Sequence, residues 1–128
     1  MTPPVRVVVV EDNQVFRETL ELLLEMRGDI RVVATASTGN DAPRVCADVR
    51  PDVVLMDYRM PGLNGTQATR AVLEAAPGAR VVCLTASVTR KETEQLLAAG
   101  AVACVMKDDD LDEIVRAIYD AAGRASTL

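Results

Sequence analysis

A chain of 128 residues, 49% hydrophobic and 26% charged, has the size and composition of one soluble domain with a single core. Its net charge of −5 and scattered arginines exclude the basic face that direct nucleic-acid binding needs. Three dispersed aromatic residues, Phe16, Tyr58 and Tyr119, give no base-stacking platform, and the absence of histidine excludes His-based triads and His metal sites.

The N-terminus, Met1-Thr2-Pro3-Pro4, lacks the basic and apolar regions of a signal peptide. The first apolar run, Val7 to Val10, reads as a buried strand and ends on Glu11-Asp12. Phe16, Leu20, Leu23 and Leu24 then repeat at helical spacing, with Arg17, Glu18, Glu21 and Glu25 on the other side. Asn13 suits the N-cap and Gly28 the C-terminal stop. Ile30 to Thr35 reads as a second strand. Ala42, Val45, Cys46 and Val49 mark the next helix, with Pro43 tolerable in its first turn. The third strand, Val53 to Met56, ends on Asp57, and its helix follows Asn64-Gly65 and stops at Pro77-Gly78.

Val81 to Leu84 forms a fourth strand ending on Thr85. Thr89 with Glu92 three residues later matches a capping box, Leu96 and Leu97 supply that helix's apolar side, and Gly100 ends it. Val102 to Met106 is the fifth strand and ends on Lys107. Leu111, Ile114, Val115 and Ile118 stripe the last helix, with Asp110, Asp112 and Glu113 at the end where negative charge favours the dipole. The apolar stretch Leu96 to Met106 spans only eleven residues, short of the about 20 that a bilayer crossing needs. Cys46, Cys83 and Cys104 lie in apolar stretches without metal-ligand spacing and read as reduced core thiols. A soluble, cytoplasmic protein without membrane contact is expected.

Strand and helix thus alternate five times. Strands apolar on both faces predict a parallel sheet covered by helices on both sides, an α/β doubly wound (βα)5 fold of flavodoxin-like order 2-1-3-4-5. That order brings Glu11, Asp12 and Asp57 to one crevice at the C-terminal sheet edge, with Thr85 and Lys107 alongside. Crowded carboxylates repel, and a divalent cation such as Mg²⁺ relieves the repulsion while accepting a phosphate oxygen. One carboxylate can then act as nucleophile toward phosphorus, with Lys107 and Thr85 contacting the phosphoryl oxygens.

Taken singly, each of these residues has a plainer structural role as a cap, a turn or a solvated edge. Together Glu11-Asp12, Asp57-x-x-Met60-Pro61-Gly62, Thr85-Ala86 and Lys107 resemble the receiver domain of two-component response regulators, over residues 5 to 122. The Lys107-Asp108 pair and the Gly100-Ala101 turn are similar to the NarL/LuxR-type branch. The resemblance implies a receiver domain over residues 1–122, with 123–128 a tail or the start of a linker. It makes Asp57 the phosphoacceptor, charged from a phosphohistidine on a sensor histidine kinase. Asp12, Asp57 and the main-chain carbonyl of Arg59 would hold Mg²⁺, with Glu11 acting through metal-bound water. Thr85 and Lys107 would hold the phosphoryl group, and small Ala86 would leave room for it.

The same resemblance implies a signalling switch rather than an ordinary enzyme. Homodimerisation on activation and transcription regulation through a separate DNA-binding domain are the expected outputs. Cys104 departs from the family, standing where many receivers carry an aromatic residue that couples to the threonine. Arg59 and Ser87 occupy the two variable positions that tune acyl-phosphate lifetime. Two competing readings are a small Mg²⁺-dependent phosphatase or phosphotransferase with an aspartyl intermediate, and a pseudo-receiver or stand-alone interaction module. The phosphatase usually carries its nucleophile after the first strand, not the third, and the complete Asp57, Thr85 and Lys107 set argues against a pseudo-receiver.

Overall fold

The computed structural model describes residues 2–86 and 89–124. Five strands alternate with five helices: β1 (Val5–Val10), α1 (Gln14–Glu25), β2 (Ile30–Ala36), α2 (Ala42–Val49), β3 (Val53–Asp57), α3 (Gly65–Ala75), β4 (Arg80–Thr85), α4 (Arg90–Ala98), β5 (Ala103–Met106) and α5 (Leu111–Ala121). All strand pairs are parallel and the sheet order is β2-β1-β3-β4-β5, the doubly wound order expected from the alternation. No helix among the described residues is long and apolar enough to cross a membrane.

The valine-rich runs are buried on both faces because side chains alternate along each strand. Val8, Val10, Val54, Met56, Val81 and Cys83 pack toward one layer with Cys46, Ala68, Val72 and Leu96. Val7, Val9, Val53, Leu55, Val82 and Leu84 pack toward the other with Leu20, Leu24, Ile114, Val115 and Ile118. Each such side chain taken out of water is worth roughly 1.5–3 kcal/mol, which fixes the register of the central strands.

Capping follows the local chemistry. The Asn13 side chain accepts from the Phe16 N–H at 2.9 Å and starts α1. The reciprocal capping box lies at α3: Asn64 accepts from the Gln67 N–H at 3.0 Å, and Gln67 accepts from the Asn64 N–H at 3.1 Å. At α4, Thr89 accepts from the Glu92 N–H at 3.1 Å, but one Glu92 carboxylate oxygen stands beside Arg59 instead of turning back on the cap. β5 begins one residue later than the apolar run, with Val102 exposed, and Leu97 of α4 is also exposed while Leu96 is buried. Of the three cysteines, Cys46 and Cys83 are buried and Cys104 is half-buried. The tail beyond residue 124 lies outside the described residues.

Candidate functional site

β1 and β3 are neighbours in the sheet, so their ends release Glu11-Asp12 and Asp57 side by side at the switch point of the strand order. One carboxylate oxygen from each of Glu11, Asp12 and Asp57 lies within 4.8 Å of the others. Glu11 is 1% and Asp57 3% exposed, while Asp12 faces solvent. The cluster is therefore open on the Asp12 side and dry on the other.

β4 and β5 bring the remaining groups. Thr85 ends β4 and is buried, and Asp57 pairs in register with its neighbour Leu84. The Lys107 N–H donates to the Thr85 carbonyl at 2.8 Å, which continues the β4–β5 ladder past the end of the sheet. The Lys107 ammonium lies 2.5 Å from Glu11 Oε1 and 3.4 Å from Asp57 Oδ2. It also stands 4.8 Å from the centre of the Phe16 ring, close enough for a cation–π contact. Phe16 reads in the sequence as one member of an apolar stripe; its second role depends on a lysine 91 positions away and has no local signal.

Electrostatics follow from this crowding. Burial, then the neighbouring Glu11 charge, push the Asp57 carboxyl from 3.8 up to about 7, with Lys107 opposing both. Burial pulls the Lys107 ammonium down, but the hydrogen bond to Glu11 and the charges of Asp57 and Glu11 outweigh it, so the net direction is upward. The second Glu11 oxygen accepts from the Asn13 N–H at 3.0 Å, and Arg17 donates to the Glu11 carbonyl at 2.8 Å, holding the acidic pair in place. Three carboxylate oxygens close together, one of them on a carboxyl raised by burial and by its neighbour Glu11, form a donor set suited to a hard divalent cation.

The loop after β3 leads from Asp57 into α3. Gly62 has φ +79°, a left-handed turn that side chains rarely adopt. Gly65 lets the start of α3 approach closely: a methyl there would stand 2.7 Å from Tyr58 Cα, and the Gly65 N–H donates to the Tyr58 carbonyl at 2.8 Å. The Asn40 side chain accepts from the Leu63 N–H at 3.1 Å and ties this loop to the segment before α2. The Arg59 guanidinium lies 5.5 Å from the Tyr58 ring centre and 3.7 Å from the Glu92 carboxylate. Its side chain is thus engaged with α4 rather than with Asp57. Ala86 is exposed beside the site, and Ser87 lies outside the described residues.

Chemically, the arrangement offers a buried carboxylate, an acidic cluster that could hold a cation, a buried threonine and a lysine at one sheet edge. Residues 7–119 match the response regulator receiver domain family. The chain is 38% identical over 118 residues to the probable transcriptional regulatory protein NarL of Mycobacterium tuberculosis, covering 92% of this chain and 55% of the relative. It is 33% identical over 114 residues to the transcriptional regulatory protein LnrK of Bacillus subtilis, covering 89% and 52%. The chain thus spans about half the length of these curated relatives. Among solved structures, the signal receiver domain of the putative response regulator NarL from M. tuberculosis superposes with a TM-score of 0.90 at 37% identity, covering 95% of this chain and 98% of that one.

Proposed function

We propose that this chain, which belongs to the response regulator receiver domain family, is a switch thrown by phosphorylation of Asp57. The observation that carries the reading is the Lys107 ammonium bridging Glu11 and Asp57 within a cluster whose carboxylate oxygens lie within 4.8 Å of one another. Asp57 is the nucleophile: its carboxylate oxygen attacks phosphorus, the phosphoryl bond to the donor breaks, and the leaving group keeps the electron pair. With a phosphohistidine donor on a sensor histidine kinase, the leaving group is the imidazole. Lys107 swings part of its contact from the carboxylates to a phosphoryl oxygen, and the Thr85 hydroxyl donates to another.

Asp12, Asp57 and the main-chain carbonyl of Arg59 would hold Mg²⁺, with Glu11 acting through a metal-bound water. The ion would supply charge neutralisation for the carboxylates and the incoming phosphoryl oxygens. The chain's own residues supply position. The parallel pairing of β1 with β3 fixes the acidic pair against the nucleophile, and the close approach at Gly65 fixes the loop that carries Arg59.

Residues 1–122 form the receiver domain in this reading, and 123–128 are a tail or the start of a linker. The half-length match to transcriptional regulators supports an output in transcription, passed to a DNA-binding domain through a phosphorylation-dependent dimer in the cytoplasm. The domain promotes its own phosphotransfer and is no enzyme in the ordinary sense. Incubation with acetyl phosphate and Mg²⁺ tests the core of the proposal. One base-labile phosphoryl adduct, lost in Asp57→Asn and suppressed by a chelator, is expected; full labelling of the variant would refute it.

A further inference from the structure

We propose that Cys83 and Cys104 are a redox modification site, joining β4 to β5 by a reversible intramolecular disulfide. The two residues are register partners in the parallel β4–β5 pair, so their side chains leave the sheet on the same face. Cys83 is fully buried in the core layer on that face, and half-buried Cys104 packs against the same layer. The Thr69 hydroxyl lies 3.9 Å from the Cys83 sulfur. Neighbouring strands run about 4.8 Å apart. That is inside the roughly 4.4–6.8 Å between Cα atoms that a disulfide spans. In-register Cβ atoms on parallel strands keep about the strand spacing, wider than the ~3.8 Å of a relaxed bridge. Closure therefore pinches the sheet, and β5 can yield because it is the edge strand. A bridge under that strain is readily reduced, as a reversible link requires.

The thiols divide the chemistry between them. A hydrogen bond from Cys83 lowers the Cys104 thiol below its ordinary range, against the opposing effect of burial. The same hydrogen bond, and then burial, push the Cys83 thiol upward. Cys104, the more accessible sulfur, is the one that meets an oxidant. With hydrogen peroxide, the Cys104 thiolate attacks one oxygen and the O–O bond breaks, giving a sulfenic acid and hydroxide, which takes up the proton that the thiol released and becomes water. The Cys83 sulfur then attacks the Cys104 sulfur, forming the S–S bond and releasing water as its proton joins the departing hydroxyl. The two thiols lose two electrons in all, and the peroxide is reduced to two waters. Cys46 is the internal control, fully buried in α2 and pushed up to about 11 by that burial.

The site stands apart from the phosphorylation reading and is tested without it. The whole protein is treated with hydrogen peroxide, its remaining thiols are alkylated after unfolding, and tryptic peptides are weighed. Peptides 81–90 and 92–107 joined through Cys83 and Cys104, separating on reduction, with Cys46 alkylated, is the expected result. Cys104→Ser should lose the joined peptide entirely and leave Cys83 alkylated. Cys104 carried to the sulfinic acid with Cys83 still a free thiol, or bridges found only between chains, would overturn the proposal. The wild-type map decides the matter by itself if the variant fails to fold.

Discussion

The Lys107 ammonium lies nearer to Glu11, at 2.5 Å, than to the Asp57 carboxylate, at 3.4 Å. The lysine is thus shared unequally, and Asp57 is left with less positive charge than its burial calls for. That imbalance is one reason its carboxyl rises to about 7. Glu11→Gln removes the competing charge while keeping the side chain's shape, so the lysine should turn to Asp57. The Asp57 carboxyl is then expected to titrate clearly below about 7 in the absence of divalent cations. Carboxyl carbon chemical shifts followed by NMR across the pH range measure this. An unchanged titration would mean that burial alone sets the value.

The same shift makes stability depend on pH. The folded-state carboxyl, at about 7, binds its proton more tightly than the ordinary 3.8 of an unfolded chain. Its contribution is therefore fully present below about 4 and is lost as pH rises to about 7, where folding must carry a buried charge. The slope within that window is at most about 1.4 kcal/mol per pH unit. Asp57→Asn abolishes this contribution. Relative to wild type, the variant should gain stability steadily between those limits and no further above them. Urea unfolding at several pH values without divalent cations gives the comparison, and parallel curves for the two proteins would contradict it.

Metal binding should follow the opposite sense. Protons and a divalent cation compete for the Asp57 carboxylate, so affinity falls as pH drops below about 7. The fall should approach tenfold per pH unit once the carboxyl is mostly protonated. Calorimetric titration with Mg²⁺ at pH 6 and pH 8 should show distinctly weaker binding at the lower value and proton release there. Asp12→Asn should weaken binding at both. Equal affinity at the two pH values would separate Asp57 from the metal.

What the sequence displayed, and what it hid, divides along physical lines. Apolar runs of valine alternating with helical stripes gave the strand order, because strands buried on both faces need helices on both sides and right-handed crossovers between parallel neighbours. The residues that end those runs, Glu11, Asp57, Thr85 and Lys107, were legible for the same reason: parallel strands deliver their last residues to one edge. Contacts that depend on side-chain reach were not. Arg59 pairs with Glu92 across the gap to α4, and Phe16 stands under Lys107. Neither pairing has a periodic or nearest-neighbour signature. The capping box was visible at Thr89, yet the reciprocal one forms at Asn64 with Gln67, since Glu92 has a guanidinium to face instead. The pairing of Cys83 with Cys104 also escapes a linear reading, because it depends on the register of two strands.

The two residues proposed to hold the phosphoryl group should fail differently. Lys107 and Thr85 are linked through the Lys107 N–H and the Thr85 carbonyl at 2.8 Å, so neither substitution disturbs that backbone tie. Lys107→Ala removes the full charge beside Asp57 and leaves Glu11 and Asp57 repelling each other without a cation. Both the rate of acetyl phosphate labelling and the response to it should fall sharply, by tenfold or more if a charge-assisted contact of about 1.5–3 kcal/mol is lost. Thr85→Ala removes a neutral hydrogen bond of about 0.5–1.5 kcal/mol. Labelling should then slow by roughly tenfold at most, while the conformational response is reduced more strongly. Mass spectrometry of labelling against time, with sedimentation of the labelled protein, separates the two effects. A Thr85→Ala protein that labels normally and shows the full wild-type change in sedimentation would remove Thr85 from the switch.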